Sequence, residues 1–171
     1  MSTLVVRPST VQDLAAITAI YSHYVLHTTS TFELDPPSVE EMARRRDAVW
    51  ALGMPHLVAE SEGRVIGYAY AGQYRPRPAY RFTVEDSIYI AHDLTGRGHG
   101  RRLLEELISA CAATPARQMI AVIADTANLS SIALHARCGF RMVGTLEDVG
   151  QKFNRWVDTV LMQRALGGHT A

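Results

Sequence analysis

Apolar residues recur along the chain with two periods. Leu14, Ile17, Ile20, Tyr21, Tyr24 and Val25 fall three or four apart, the spacing of a helix that buries one face, and Thr10 stands where it can cap the amides near Asp13. Leu103, Leu104, Leu107, Ile108 and Cys111 repeat that spacing later. Ser38-Val39-Glu40-Glu41 makes a capping box for a helix running to about Leu52. Short apolar or alternating runs predict strands at 4–7, 56–60, 65–72, 82–90, 119–124 and 157–162, with a further strand beginning at 140–144. Ser61-Glu62-Gly63-Arg64 reads as a hairpin turn, and 130–137 as a short helix stopped by Gly139. Segments 28–37 and Arg75-Pro76-Arg77-Pro78 break the pattern and predict loops. The order shows no regular strand–helix alternation and no repeat. It predicts one domain over 1–171, an α/β fold of the α+β type, with a central mixed, mostly antiparallel sheet flanked by helices.

Composition narrows the partners. At 171 residues and 47% apolar the chain holds enough for one packed core. Seventeen Lys and Arg balance seventeen Asp and Glu, so no basic excess points to nucleic acid. No apolar run approaches the ~20 residues that span a bilayer, and the start carries no signal-like core, which predicts a soluble cytoplasmic protein with no membrane partner. Cys111 and Cys138 form no CxxC pair and are expected to be reduced and partly buried. His23 and His27 have a metal-compatible spacing but no HExxH context and no evident third ligand, so no metal is expected.

The chemistry concentrates after the strand ending at Ile88-Tyr89-Ile90. Thr95-Gly96-Arg97-Gly98-His99-Gly100-Arg101-Arg102 then opens an amphipathic helix. Such a loop can turn several N–H groups toward one point at a helix start, which suits a pyrophosphate; the glycines admit the ligand's close approach. It is not a Walker loop, which needs Lys and then Ser or Thr after the last glycine, nor a G-x-G-x-x-G dinucleotide loop. Alone, a glycine-rich turn can also be only a turn.

Together with Asn128-Leu129-Ser130-Ser131-Ile132-Ala133-Leu134-His135-Ala136-Arg137-Cys138-Gly139-Phe140, the loop resembles the two signature segments of the GNAT family of N-acetyltransferases. Thr95 departs from the Gln or Arg usual at its place. Over most of the chain the resemblance is closer to the phosphinothricin and methionine sulfoximine N-acetyltransferases, carried by Ile20-Tyr21, 29–33, 67–69, 74–76, Thr83-Val84-Glu85-Asp86-Ser87 and 150–158. The resemblance implies acetyl-CoA as co-substrate, a small amino-acid-like acceptor and a homodimer. It implies Glu85 as general base, because an ammonium at neutral pH has no lone pair until a proton is removed. Asp86 should point to the opposite strand face.

His135 stands where the wider family often has a tyrosine acid; it is either the general acid or a helix histidine that packs the coenzyme without titrating. Coenzyme contacts are implied at Ile88, Tyr89, Ile90, Gly96, Arg97, Gly98, His99, Gly100, Arg101, Asn128 and Arg137. Acceptor contacts are expected at Phe32, Arg75, Pro76, Arg77, Arg81, Glu85, Asp86 and Ser87, with the arginines suited to a carboxylate. Lys152, Phe153 and Trp156 fit either a pocket rim or a subunit contact. A protein N-terminal acetyltransferase and a non-catalytic acetyl-CoA-binding module are the rival readings.

Overall fold

The computed structural model describes residues 4–167. Seven strands build one sheet in the order β1-β2-β3-β4-β5-β7-β6, namely β1 (Leu4–Pro8), β2 (His56–Ser61), β3 (Arg64–Gln73), β4 (Thr83–Ile90), β5 (Gln118–Ala124), β6 (Arg141–Lys152) and β7 (Arg155–Ala165). Every neighbouring pair is antiparallel except β4 and β5, which run parallel. A parallel pair needs a crossover, and helix α3 (His99–Ala112) supplies it. Helices α1 (Leu14–His27) and α2 (Val39–Ala51) precede β2, and α4 (Leu129–Arg137) joins β5 to β6.

Strand alternation decides which helix lies on which face. Val58 and Tyr68 turn toward α1 and α2, where they pack with Ile17, Tyr21, Val25 and Met42. Leu57, Ala59, Ala69 and Ala71 point the other way and meet Leu103, Leu104, Leu107 and Cys111 of α3. Small alanines on that face let α3 approach the sheet closely, and α3 is the helix with the largest apolar stripe buried there. The two faces of β4 are divided in the same way, so Glu85 and Asp86 lie on opposite sides of the sheet.

Several predicted details change. Thr10 and Asp13 form a capping box in which the Asp13 carboxylate accepts from the Thr10 amide at 2.7 Å, but it caps a 3₁₀ turn, Val11–Asp13, that precedes α1. Ser38 caps α2 as expected, accepting from the Glu41 amide at 3.2 Å. The last two strands are much longer than the runs at 140–144 and 157–162. Their hairpin turns at Phe153 and Asn154, both left-handed at φ 52° and 58°. Phenylalanine is a poor signal for such a turn, and the polar stretch before it lacks a clean two-residue period, which hid the hairpin.

Cys111 and Cys138 are free and buried, and burial pushes the Cys111 thiol up to about 12, far from a neutral-pH nucleophile. Among the described residues no helix is long and apolar enough to cross a membrane. Among the same residues no group of three or more His, Cys, Asp and Glu is arranged to hold a metal ion; His23 instead stacks on His92 at 3.9 Å between ring centroids.

Candidate active site

The parallel pair β4–β5 holds together only at its beginning. Thr83 to Asp86 pair with Gln118 to Ala121, and beyond that register the two strands separate. Ser87 to Ile90 remain paired with β3, and Val122 to Ala124 with β7. Each strand therefore keeps one outer edge paired while the inner edges face a gap. Backbone groups along such an edge need partners, so the gap is a slot for an extended chain with amide groups. A cleft of about 1080 Å³ runs through it.

At one end of the slot lies the glycine loop. Gly96 and Gly98 take left-handed φ of 74° and 85°, and Gly98 is the residue from which α3 starts. This geometry is open to glycine at little cost and leaves the first amides of α3 unpaired toward the cleft, where the helix dipole adds positive potential. Gly96, Gly98, His99, Gly100 and Arg101 line the cleft, together with Asn128, which precedes α4, and Arg137 at its end. The Asn128 side-chain oxygen caps α4 by accepting from the Ser131 amide at 3.3 Å, which leaves its NH₂ group for a ligand. Arg97 lies outside the cleft lining and reaches the Asp93 carbonyl instead.

Glu85 sits at the other end, on the side of α1 and the segment that follows it. Thr28, Ser30, Thr31 and Phe32 of that segment line the same cleft. Burial, reinforced by the adjacent Asp86 charge and opposed by Arg75, pushes the Glu85 carboxyl up to about 7. That is the range in which a carboxylate both accepts a proton readily and is substantially ionised near neutrality.

Asp86 is on the reverse face, buried, and accepts from His135 Nε2 at 2.9 Å. The other ring nitrogen, Nδ1, meets the Ser131 carbonyl at 2.7 Å. Burial works to lower the imidazole pKa, but the Asp86 hydrogen bond and charge, with the Ser131 carbonyl, outweigh it and the pKa is raised. Two acceptors, one at each nitrogen, suit the imidazolium. His135 is 3% exposed, and neither nitrogen is left over to point a proton into the cleft. His135 nonetheless borders the cleft. Asp86, expected among acceptor contacts, lines the cleft and holds His135 through Oδ2, while its second oxygen, Oδ1, has no partner.

The expected arginines are more peripheral than their sequence positions suggest. Arg75, Pro76, Arg77 and Arg81 do not line the cleft. Arg75 lies over the Tyr74 ring at 5.1 Å and Arg81 over Phe82 at 4.4 Å. Phe32, Glu85, Asp86, Ser87, Ile88, Tyr89 and Ile90 do line it, as does His135. Missed from sequence were Tyr24, which donates to the Ile90 carbonyl at 2.5 Å, and Thr28, Ser30 and Thr31, which line the cleft after α1. The usable signal was segment 29–33, one of those that carry the family resemblance.

The segment is tied to the far hairpin. Thr29 Oγ1 donates to Asp125 Oδ2 at 2.6 Å, Arg155 also bonds Asp125, and buried Lys152 donates to the Thr31 carbonyl at 2.8 Å. Lys152 is therefore a buried brace and not a rim contact, whereas Phe153 and Trp156 are exposed.

Comparison with known proteins agrees with this architecture. Residues 6–161 match the family profile described as acetyltransferase (GNAT) domain. The phosphinothricin N-acetyltransferase of Alcaligenes faecalis is 56% identical over 154 residues, covering 90% of this chain and 78% of that protein. The L-methionine sulfoximine/L-methionine sulfone acetyltransferase of Pseudomonas paraeruginosa is 40% identical over 159 residues, covering 92% of each. Among solved structures, a GNAT superfamily phosphinothricin acetyltransferase from Sinorhizobium meliloti in complex with AcCoA superposes with a TM-score of 0.93. The identity is 49%, over 96% of this chain and 89% of that one. A parallel strand pair that opens into a slot, a glycine loop feeding a helix start and a carboxyl held near neutrality are thus carried by a chain that belongs to the GNAT acetyltransferases, in the phosphinothricin and methionine sulfoximine acetyltransferase branch.

Proposed function

We propose that the protein acetylates the α-amine of phosphinothricin, methionine sulfoximine or methionine sulfone from acetyl-CoA, with Glu85 as the general base. The enzyme is an amino-acid N-acetyltransferase. The observation that carries the proposal is the Glu85 carboxyl, raised to about 7 and lining the same cleft as the glycine loop. Acetyl-CoA fits the residues present. The left-handed glycines and the α3 start suit its pyrophosphate, Arg101 and Arg137 add charge, and the unpaired edge at Ser87 to Ile90 suits its amide-bearing arm. The thioester supplies the electrophile.

Glu85 takes the proton from the acceptor's ammonium, directly or through one water, and so frees the lone pair that attacks. Strand amides among Ile88, Tyr89 and Ile90 that face the gap stabilise the negative charge that develops on the carbonyl oxygen. His135, engaged at both nitrogens, holds α4 against β4 and is not assigned a proton-transfer step. Phe32 walls the acceptor's side chain. A homodimer is supported by the β6–β7 hairpin, where Met142, Val143, Leu146, Val149, Phe153 and Trp156 each leave about half or more of their surface uncovered.

The test is CoA release with acetyl-CoA and an acceptor panel: phosphinothricin, methionine sulfoximine, methionine sulfone, ordinary amino acids and a peptide with a free N-terminus. Selective turnover of the first three is expected. Turnover of the peptide alone would replace this reading with a protein N-terminal acetyltransferase.

A further inference from the structure

The distinctive segment around Gly150 has no contact with the cleft, yet it touches a residue that does. Gly150 lies on β6 opposite Val157, and the ring of Phe32 rests on it so closely that any Cβ there would overlap three ring atoms. The φ of Gly150 is not left-handed, so the backbone would accept another residue; only the ring forbids it. The chain on both sides of Phe32 is held. Thr31 accepts from Lys152 through its carbonyl at 2.8 Å and shares a hydrogen bond with Tyr21 at 2.9 Å. Glu33 accepts from Tyr21 at 2.8 Å and from Arg45 at 2.5 Å. With its neighbours fixed, Phe32 can answer a new group at 150 only by turning its ring, and the ring already borders the cleft.

We infer that Gly150 is a specificity-determining residue, whose bare Cα lets the Phe32 ring lie back against β6 and so sets the room left for the acceptor's side chain. The inference deepens the proposed function and rests on Phe32 walling the acceptor pocket. Gly150 touches neither the reacting atoms nor the acceptor; it acts through the ring. An alanine there turns the ring into the cleft and shortens the pocket, leaving the coenzyme slot between β4 and β5 as it is.

The experiment compares wild type, Gly150→Ala, Phe32→Leu and the double variant by steady-state kinetics with phosphinothricin and methionine sulfone. Gly150→Ala is expected to raise the acceptor KM roughly tenfold, the scale of one misplaced methylene or more in a pocket, with little change in kcat or in the KM for acetyl-CoA. In the Phe32→Leu background the same substitution is expected to have no effect on acceptor KM, because the smaller side chain no longer meets the new methyl. An equal rise in both backgrounds, or none in either, would overturn the inference. A crystal structure of Gly150→Ala reads the ring position without relying on turnover. A ring swung into the cleft supports the inference, and one turned out to solvent sinks it. A wild type that acetylates neither acceptor sinks the proposed function instead, while the crystal structure still decides what Gly150 does.

Discussion

Glu85 and Asp86 are consecutive carboxyls put to opposite uses by the alternation of one strand. Glu85 faces the cleft, half-buried and unpaired, and is pushed up to about 7; Asp86 faces the helices and is tied to His135. The two are coupled, since the Asp86 charge is the second cause of the Glu85 shift after burial. Asp86→Asn is therefore expected to move the acid limb of kcat/KM to lower pH, because removing a like charge favours the ionised base. The same variant should lower the His135 pKa, readable as the imidazole titration by NMR. An unmoved acid limb with a shifted His135 would separate Asp86 from the base. Much about these side chains was legible in the sequence: the assignment of opposite faces followed from the period of two, and the cleft-lining glycines from their motif. The engagement of both His135 nitrogens was not legible. It depends on where α4 lands against β4, a packing result spanning 49 residues of chain.

Strand and loop geometry carry the coenzyme's site. The slot exists because β4 and β5 stop pairing after Asp86, and the phosphate end exists because Gly96 and Gly98 adopt conformations that L side chains resist. A methyl at Gly98 meets nothing within 4 Å, so Gly98→Ala costs only its backbone conformation, on the order of 1–2 kcal/mol. The loop is expected to relieve that strain by shifting the first amides of α3. The acetyl-CoA KM then rises several-fold while kcat changes little, and the thermal shift induced by coenzyme shrinks; an unchanged shift would argue against amide contacts there. The glycine loop was readable because its residues state their own backbone requirements. The parting of β4 from β5 was not, since nothing in Ser87 to Ile90 or Val122 to Ala124 marks the end of a ladder. The β6–β7 hairpin stayed hidden for a related reason. Register shifts between Met142 and Gly144 and between Leu146 and Gly150 break the alternation that would have announced it.

Across the fold, the sheet works as a frame whose two halves, β1 to β4 and β5 to β6, part at the cleft. The segment after α1 is fastened to the β6–β7 hairpin through Lys152 and through Asp125 with Arg155, so the acceptor wall is positioned by the last strands of the chain. The same hairpin exposes Phe153 and Trp156. Trp156→Arg is expected to convert a dimer to a monomer in sedimentation velocity and to weaken acceptor binding through the shared hairpin; a wild type that sediments as a monomer would rule the dimer out. Fold class was foreseeable in outline from strand count and irregular connections, whereas the strand order and the bracing of the cleft by distant segments are properties of the assembled chain. The role of Glu85 is decided by kcat/KM against pH for phosphinothricin acetylation, wild type beside Glu85→Gln. The base must be ionised to act, so wild-type kcat/KM should rise with pH through about 7. Glu85→Gln should lose that limb along with about 10²–10⁴-fold in rate, keeping only the limb set by the acceptor's own amine. A limb near 7 that survives in Glu85→Gln, with the rate little changed, would contradict the assignment of Glu85 as the base.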